Sequence, residues 1–400
     1  MRLEWINRDG RIILFEKAVR TIPYGFLGVL FAIYLRQLSF DLITIGVVLA
    51  LTTLSSAFYS LIASLVADRV GRRRTLVFFA LTDALAGGLL LLSTSWWAPV
   101  AAGIVGNMSV GTGEVGPYLS LEQAILPNTS DPKHRILSFS LYNLTGYAAS
   151  SAGSLLAAIP QYSGSGPAAY RPLFLAYLFS GLLGAVAYST LSNRVERTQF
   201  AGERPPVLSE ASKPIVLKLS ALFAVDSFGG GFIVNVIVSL YFFTRYSLDL
   251  ASLGLLFSAT QIVTAFSFLV AARIAKRIGL LKTMVFSHIP SNILLALIPL
   301  ASIEALAVAL LLLRQSLSQM DVPTRQSYVM GVVRESDRTL AAGITNVSRS
   351  FAGAPGQFLA GLAMSSLWLG APFIIAGCLK VAYDLSLFRI FRKTKPFEES

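Results

Sequence analysis

The sequence predicts an all-α polytopic membrane protein with 12 transmembrane helices, arranged as two pseudo-symmetric six-helix halves. Three observations predict this class. Hydrophobic residues make up 54% of the 400 residues and charged residues only 14%, whereas a soluble domain carries roughly 25% charged residues. Apolar stretches recur along the chain at about the 20-residue length that a helix needs to cross a bilayer. The second half of the chain also repeats motifs of the first half.

The apolar stretches divide the chain into twelve spans, and most connections between spans are short. The exception is segment 194–213, "RVERTQFAGERPPVLSEASK", which is polar and contains proline. We interpret it as a cytoplasmic linker between an N-terminal half, 1–193, and a C-terminal half, 214–400. The predicted spans are 12–35, 44–66, 75–95, 98–122, 137–160, 172–193, 214–243, 250–272, 283–302, 304–324, 340–364 and 371–391.

An internal repeat relates the two halves. Displaced by 208 residues, "SLVADRVGRRRTLVFF" at 64–79 aligns with "ARIAKRIGLLKTMVFS" at 272–287, with six identities in 16 positions. Further along, "NLTGYAASSAGSLLAA" from Asn143 aligns with "NVSRSFAGAPGQFLAG" from Asn346, now displaced by 203 residues. The second half is therefore five residues shorter between its third and fourth spans.

The distribution of lysine and arginine predicts the orientation of the chain. With both termini in the cytoplasm, 24 of the 33 basic residues fall on the inner side, three in outer loops and six within spans. An excess of basic residues marks cytoplasmic loops. We therefore expect a multi-pass protein of the cell membrane, plasma or inner, with both termini inside.

The turn between the second and third spans carries a motif. The sequence Ser-Leu-Val-Ala-Asp-Arg-Val-Gly-Arg-Arg-Arg, 64–74, resembles the Gly-x-x-x-Asp-Arg-x-Gly-Arg-Arg/Lys motif of major facilitator superfamily transporters, with serine in place of the first glycine. The resemblance extends to the twelve spans, the two halves and the linker. It implies that the acid of this motif holds the two halves together on the inner side, whereas the second copy has Lys276 at that position. The motif residues are Ser64, Asp68, Arg69, Gly71, Arg72 and Arg73.

The resemblance implies a secondary active transporter that moves a small solute by alternating access. We expect proton-coupled efflux of an amphipathic or drug-like compound, because the chain is largely apolar and rich in aromatic residues. The alternative is transport of an organic anion by Arg314 and Arg20. A non-transporting membrane sensor and a membrane enzyme are more remote alternatives; the two histidines, His134 and His288, lie in opposite halves, which argues against an enzyme.

Ionisable residues within the spans are candidates for a substrate or coupling site, because each costs about 2.5–3.5 kcal/mol at the centre of a membrane helix. Arg314 lies about ten residues from either end of the tenth span. It could bind an anionic substrate, neutralise a buried acid or form a structural ion pair between helices. Glu114 and Asp226 could bind a coupling proton. Glu114 could instead pair with Arg314 or lie near the inner mouth. Arg20 could line the cavity, pair with Glu16 one turn earlier, or extend to the membrane surface.

Neutral polar residues on the faces of several spans extend this candidate cavity. They could line a central cavity or hold helices together by hydrogen bonds. The matching positions of Asn143 and Asn346 in the repeat favour the cavity. The candidates are Asn107, Asn143, Tyr147, Asn235, Gln261 and Asn346.

Other classes of site find little support in the sequence. The net charge of +12 lies mostly in the turns, so it predicts orientation rather than nucleic-acid binding. Cys378 stands alone, which argues against a disulfide framework or a zinc site. We expect no cofactor and no metal. The expected partners are the lipid bilayer, a small-molecule substrate and H⁺, and we expect a monomer.

Overall fold

The structure, a computed structural model, describes residues 5–109, 116–131, 134–196, 208–334 and 337–394. These residues are predominantly helical, and Ile6 and Ser130 form an isolated β-bridge. Contacts between residues divide the chain into two compact units. Unit 1 comprises 1–201 and 235–261, and unit 2 comprises 202–234 and 262–400.

Unit 1 is built from helices of the first six predicted spans, together with the second part of the seventh and the start of the eighth. Its helices are α1 (Arg8–Gln37), α2 (Leu42–Val70), α3 (Arg72–Leu92), α4 (Trp97–Val105), α5 (Pro117–Ile125), α6 (Arg135–Leu156), α7 (Ile159–Tyr162) and α8 (Arg171–Ser189). Unit 1 also contains α10 (Asn235–Tyr246), which packs on α1, and the first part of α11 (Leu250–Ile278).

Unit 2 contains the remaining helices. They are α9 (Lys213–Gly231), the second part of α11, α12 (Leu280–Leu297), α13 (Glu304–Ser318), α14 (Asp321–Val332), α15 (Arg338–Ser366) and α16 (Ala371–Phe391). In this unit α9 packs against α15, and α12 packs against α16. These pairs repeat the contacts of α1 with α6 and of α3 with α8 in unit 1.

Nine segments of the described chain are helical, long and apolar enough to cross a membrane. They correspond to nine of the twelve predicted spans. The fifth and eleventh spans form the long helices α6 and α15, but their polar residues lower the mean hydropathy. The fourth span is divided into α4 and α5. The helices are thus consistent with twelve spans.

Local sequence explains where the other broken spans are interrupted. Helix α9 ends at Gly231, the last of three consecutive glycines, and α10 begins at Asn235. Helix α13 ends at Ser318, and α14 begins at Asp321 with Pro323 in its first turn. Proline lacks a backbone N–H and clashes with the carbonyl four residues earlier, so it fits a first turn but ends a preceding helix.

The repeat is visible in the turns that open α2 and α11. Ser39 and Ser247, 208 residues apart, have positive φ angles of 66° and 56°. Asp41 accepts a hydrogen bond from the Thr44 N–H at 2.7 Å, and Asp249 accepts one from the Ser252 N–H at 2.7 Å. These caps stabilise the ionised carboxyl groups, so the pKa values of both aspartates lie below their usual range.

Candidate functional site

Close contacts of glycines with the backbone of a neighbouring helix fix the register of the repeat in the helices that carry the site. A Cβ added to Gly25 would lie 2.2 Å from the Ser150 carbonyl oxygen, and one added to Gly231 would lie 2.2 Å from that of Gly353. The backbones of α1 and α6, and of α9 and α15, therefore approach in the same way. Position 20 of α1 then corresponds to position 226 of α9, a displacement of 206 residues.

Helix α1 carries the centre of a buried charged cluster in unit 1. The Arg20 side chain is 3% exposed. Its NH2 group lies 2.8 Å from Glu122 Oε2 on α5, and its NH1 group lies 2.6 Å from Glu16 Oε2. NH1 also lies 2.7 Å from the Tyr188 hydroxyl on α8. The pairing of Glu16 with Arg20 one turn later is one of the three alternatives that the sequence leaves open for Arg20.

Aromatic hydroxyls surround these charges. The Tyr142 hydroxyl donates to Glu122 Oε2 at 2.7 Å, and the Arg20 guanidinium carbon lies 4.0 Å from the centroid of the Tyr118 ring. Lys17 Nζ lies 4.2 Å from the centroid of the Tyr142 ring. We call this set the unit 1 cluster: Glu16, Lys17, Arg20, Tyr118, Glu122, Tyr142 and Tyr188.

Asp83 on α3 lies beside the unit 1 cluster and has its own set of donors. Its carboxyl group accepts hydrogen bonds from the Tyr118 hydroxyl at 2.8 Å, the Tyr177 hydroxyl at 3.0 Å and the Asn107 N–H at 2.8 Å. The Tyr24 hydroxyl is also within 3.4 Å. Four donors satisfy this buried carboxyl group without a bound solute.

Unit 2 carries a second charged cluster, centred on Asp226. Its carboxylate lies 2.5 Å from Lys380 Nζ, 3.2 Å from Arg349 NH1 and 3.6 Å from Arg325 NH1. Arg325 also pairs with Asp321 at 2.5 Å. Three cations therefore share the carboxylate that the sequence suggested as a coupling acid.

A histidine extends this second cluster towards α12 and α16. His288 Nδ1 lies 2.9 Å from Asp384 Oδ1, and its Nε2 lies 4.0 Å from Asp226. Asn292 donates to the other oxygen of Asp384 at 3.1 Å. The unit 2 cluster is thus Asp226, His288, Asn292, Asp321, Arg325, Arg349, Lys380 and Asp384.

Arg314 on α13 is bound differently from the other buried arginines. Its side chain is 7% exposed, and its NH1 group donates to the neutral Gln315 amide oxygen at 3.0 Å. Within the described residues, no carboxylate lies within 4 Å of its guanidinium nitrogens, and its Nε has no hydrogen-bond partner. Gln315 is held in turn by Thr264 Oγ1, 2.9 Å from its Nε2. Among the described residues, this arrangement leaves the buried Arg314 cation without a counter-ion and its Nε without an acceptor.

The predicted neutral residues occupy varied surroundings. In unit 1, Gln261 is buried and donates to Ser150 at 3.3 Å, whereas Asn143 is exposed and Tyr147 and Asn235 are half-buried. Asn107 is buried, with its side-chain oxygen 2.7 Å from the Ser56 hydroxyl. In unit 2, Asn346 is exposed. Glu114 lies outside the described residues.

Each unit contains a cavity among its described residues. The larger, about 250 Å³, lies at the end of α1 beside Gln37, Tyr170 and Asp249. The smaller, about 30 Å³, is lined by Arg325, Arg349 and Asn346 among others. This smaller volume is room for a water molecule rather than for an organic solute.

The motif turn is held within unit 1. Asp68 pairs with Arg72 at 3.0 Å. The carboxylate of Glu196 accepts hydrogen bonds from the Arg72 N–H at 2.6 Å and the Arg73 N–H at 3.3 Å, at the positive end of α3. Gly71 has a φ of 109°, and a Cβ there would lie 3.1 Å from Glu196 Oε1. The glycine therefore permits both the turn and the cap.

The other motif residues contribute less to these contacts. Arg73 also donates to the Leu191 carbonyl at 3.1 Å, after the end of α8. Arg69 is exposed, and the Ser64 hydroxyl donates back to the Leu61 carbonyl at 2.7 Å.

Sequence reasoning missed Glu122, Arg325 and Glu196. Arg325 directly follows the tenth predicted span, 304–324, so the sequence places it on the cytoplasmic side, but it is buried in α14 and forms ion pairs. The signal was in the repeat, because the displacement of 203 residues that aligns Gln123 with Gln326 also aligns Glu122 with Arg325. Glu122 lies within the fourth predicted span, so the equivalent Arg325 is expected within a helix as well, and not in a loop.

Comparisons with known proteins agree with this architecture. The family model described as Major Facilitator Superfamily matches residues 18–356 and 219–400. An uncharacterized membrane protein of Saccharomyces cerevisiae, YJR124C, is 26% identical, with 98% of this chain and 96% of that protein covered.

Solved structures of transporters have the same fold. The nucleoside transporter NupG aligns with a TM-score of 0.73 and 15% identity over 96% of this chain and 99% of its own. The human organic anion transporter MFSD10 aligns with a TM-score of 0.69 and 14% identity over 95% and 99%. The xylose transporter XylE from E. coli aligns with a TM-score of 0.73 and 13% identity over 97% and 98%.

The family match covers the whole chain, and the helices and their internal repeat provide the architecture that such a match requires. The chain therefore belongs to the Major Facilitator Superfamily and is a multi-pass membrane protein that transports a small molecule, not an enzyme.

Proposed function

We propose that this transporter carries an organic anion and that Arg314 binds its anionic group. The observation that carries this proposal is the buried Arg314 guanidinium, which contacts a neutral amide and has no carboxylate partner among the described residues. A buried charge without a counter-ion is costly. An anionic solute would supply both the missing charge and an acceptor for Nε.

The neighbours of Arg314 support this role because they hold it without neutralising it. The Gln315 side chain bridges Arg314 and Thr264 on α11. The Ser318 hydroxyl lies 3.5 Å from the same Gln315 oxygen. A cation held by neutral groups is ordered before the solute binds, which reduces the entropic cost of binding.

Arg20, which the sequence paired with Arg314 in the anion alternative, is less suited to the same role. Its donors already contact Glu16, Glu122 and Tyr188. We therefore assign the solute contact to Arg314 and a bracing role to Arg20. Efflux of an amphipathic or drug-like compound rests on composition, so we place the anion first. Transporters of similar fold carry nucleosides, xylose and organic anions. The fold is therefore compatible with an anionic solute.

The experiment compares uptake of organic anions and lipophilic cations by the purified protein in liposomes. We expect Arg314→Gln to weaken anion binding by about 10- to 150-fold. This factor corresponds to about 1.5–3 kcal/mol, the free energy of a hydrogen bond to a charged group. Arg314→Lys should keep part of the binding because it keeps the charge. Arg245→Gln is the matched control, since Arg245 is exposed and lies beside the Tyr246 ring.

Two outcomes would overturn the assignment. Unchanged anion uptake by Arg314→Gln would make Arg314 a structural residue. Uptake of cations alone would restore efflux of amphipathic compounds as the first candidate.

We further propose that transport is proton-coupled and that the protein acts as a monomer in the cell membrane with both termini in the cytoplasm. The distribution of basic residues supports the orientation. Glu114 remains a candidate coupling acid, and Glu114→Gln should flatten the pH dependence of uptake.

Cysteine labelling tests the orientation. With Cys378 replaced, a single cysteine at Arg72 should react only from the inside, and one at Ser39 only from the outside. The reverse pattern would overturn the orientation.

A further inference from the structure

We propose that Glu16, Tyr188 and Glu122 form a proton-binding site, in which one proton is shared by the two carboxyl groups through the tyrosine hydroxyl. The proposal deepens the proton-coupled transport proposed above, on which its role in coupling rests. The three side chains come from α1, α8 and α5 of unit 1. Each is less than 3% exposed.

The position of the Tyr188 hydroxyl carries the inference. It is within hydrogen-bond distance of Glu16 Oε2 and lies 2.6 Å from Glu122 Oε1. A phenol has one hydrogen to donate, so it can satisfy only one of the two carboxylates. The other contact would bring an anionic oxygen against an oxygen lone pair. It becomes a hydrogen bond when that carboxyl group carries a proton and donates it to the tyrosine.

The remaining donors indicate where the proton rests. Glu122 accepts from Arg20 NH2 at 2.8 Å and from the Tyr142 hydroxyl at 2.7 Å. Glu16 accepts from Arg20 NH1 at 2.6 Å. Since Glu122 has more donors in addition to Tyr188, its ionised form is better stabilised. The proton therefore rests on Glu16, which donates to Tyr188, and Tyr188 donates to Glu122.

This chain permits a balanced proton transfer. The Glu16 O–H bond breaks as its proton moves to the Tyr188 oxygen. The Tyr188 O–H bond breaks at the same time, and its proton moves to Glu122 Oε1. Glu16 becomes the carboxylate and Glu122 the acid, with no change in net charge. Arg20 contacts both groups, so it faces an anion in either state.

Other ionisable groups face this site from each neighbouring helix. Lys17 and Arg20 lie on α1, Asp83 on α3, Tyr118 on α5 and Tyr142 on α6. All five are buried. The carboxyl group of Asp83 has its own donors from Tyr118, Tyr177 and Asn107. It is therefore a matched control within the same unit, because its hydrogen bonds do not require a proton on the acid.

The test is the infrared absorption of the purified full-length protein near neutral pH, where a protonated carboxyl group has a C=O stretch that a carboxylate lacks. We expect wild type to show such a band and Glu16→Gln to lose it. Tyr188→Phe should shift the band, since the acid loses its acceptor. Asp83→Asn should leave the band in place.

A wild-type spectrum without the band, or a band unchanged in both Glu16→Gln and Tyr188→Phe, would overturn the proposal. Tyr188→Phe changes only a hydroxyl group, so the test stands if Glu16→Gln does not fold. The measurement needs no solute. Failure of anion transport would therefore leave the result intact, and absence of the band would leave the assignment of Arg314 intact.

Discussion

The two units place a buried ion pair at equivalent positions, but with the charges exchanged. In unit 1 the cation is Arg20 on α1 and the acid is Glu122 on α5. In unit 2 the acid is Asp226 on α9 and the cation is Arg325 on α14. The repeat displacements of 206 and 203 residues align these positions. An ion pair between these two helices is therefore compatible with the fold in either polarity.

The residues around the pair differ more than the pair itself. Tyr118 in unit 1 corresponds to Asp321 in unit 2, and Gly146 corresponds to Arg349, both at a displacement of 203 residues. A Cβ on Gly146 would lie 2.7 Å from Lys17 Cε, so a lysine from α1 occupies the space beside that glycine. Unit 1 thus surrounds its arginine with two acids and tyrosines, whereas unit 2 surrounds its aspartate with three cations.

The largest effect should come from removing the acid of unit 2. In Asp226→Asn, Lys380, Arg349 and Arg325 would lose their common carboxylate. Two buried cations and the half-buried Arg349 would then be left close together. Breaking a buried ion pair costs about 3–5 kcal/mol. We expect the free energy of unfolding of this variant to fall by an amount at the upper end of that range. The measurement is the thermal unfolding of the purified protein in detergent.

The control for this variant is Asp249→Asn, which changes an exposed aspartate at the start of α11. We expect it to unfold close to the wild-type temperature. Equal unfolding temperatures for Asp226→Asn and wild type would mean that the three cations do not depend on this acid.

A smaller effect should follow from the corresponding change in unit 1. In Glu122→Gln, Glu16 can release its proton and remain as the carboxylate partner of Arg20. We therefore expect the free energy of unfolding to fall by about 1.5–3 kcal/mol, typical of a hydrogen bond to a charged group. The double variant Glu16→Gln with Glu122→Gln should approach the loss seen for Asp226→Asn. The same thermal assay measures both variants. If Glu122→Gln lowered stability as much as the double variant, Glu16 would not act as the remaining partner of Arg20.

The sequence predicted those features that depend on neighbouring residues. Apolar length predicted the helices, and helical spacing offered the pairing of Glu16 with Arg20 as one alternative. The pairs with Glu122 and Arg325 depend on the register between distant helices, which hydropathy does not contain. Arg325 follows the end of an apolar run, so hydropathy places it in a loop, although α14 continues to Val332. The internal repeat was the signal that linked these two positions.

The smallest effect on stability should come from the motif turn, where the units also differ. Asp68 pairs with Arg72 but is 35% exposed, and exposed pairs contribute about 0–1 kcal/mol. Lys276 occupies the equivalent position before Gly279, whose φ of 88° repeats the positive φ of Gly71. The free energy of unfolding of Asp68→Asn should therefore lie within about 1 kcal/mol of the wild-type value. Lys276→Gln, which changes the equivalent position of the repeat, is the control.

A transport assay distinguishes two roles of Asp68, the ion pair with Arg72 and the stabilisation of the state closed on the inner side. The family resemblance implies that this acid stabilises closure of the inner side, so Asp68→Asn should slow turnover through a coupling of about 1–3 kcal/mol, a change of about 5- to 150-fold in the ratio of the two states. Solute affinity should change little, because Arg314 lies on another helix. Spin-label distances across the inner rim would record the shift. Unchanged distances together with unchanged turnover would limit Asp68 to its ion pair with Arg72 at the end of α2.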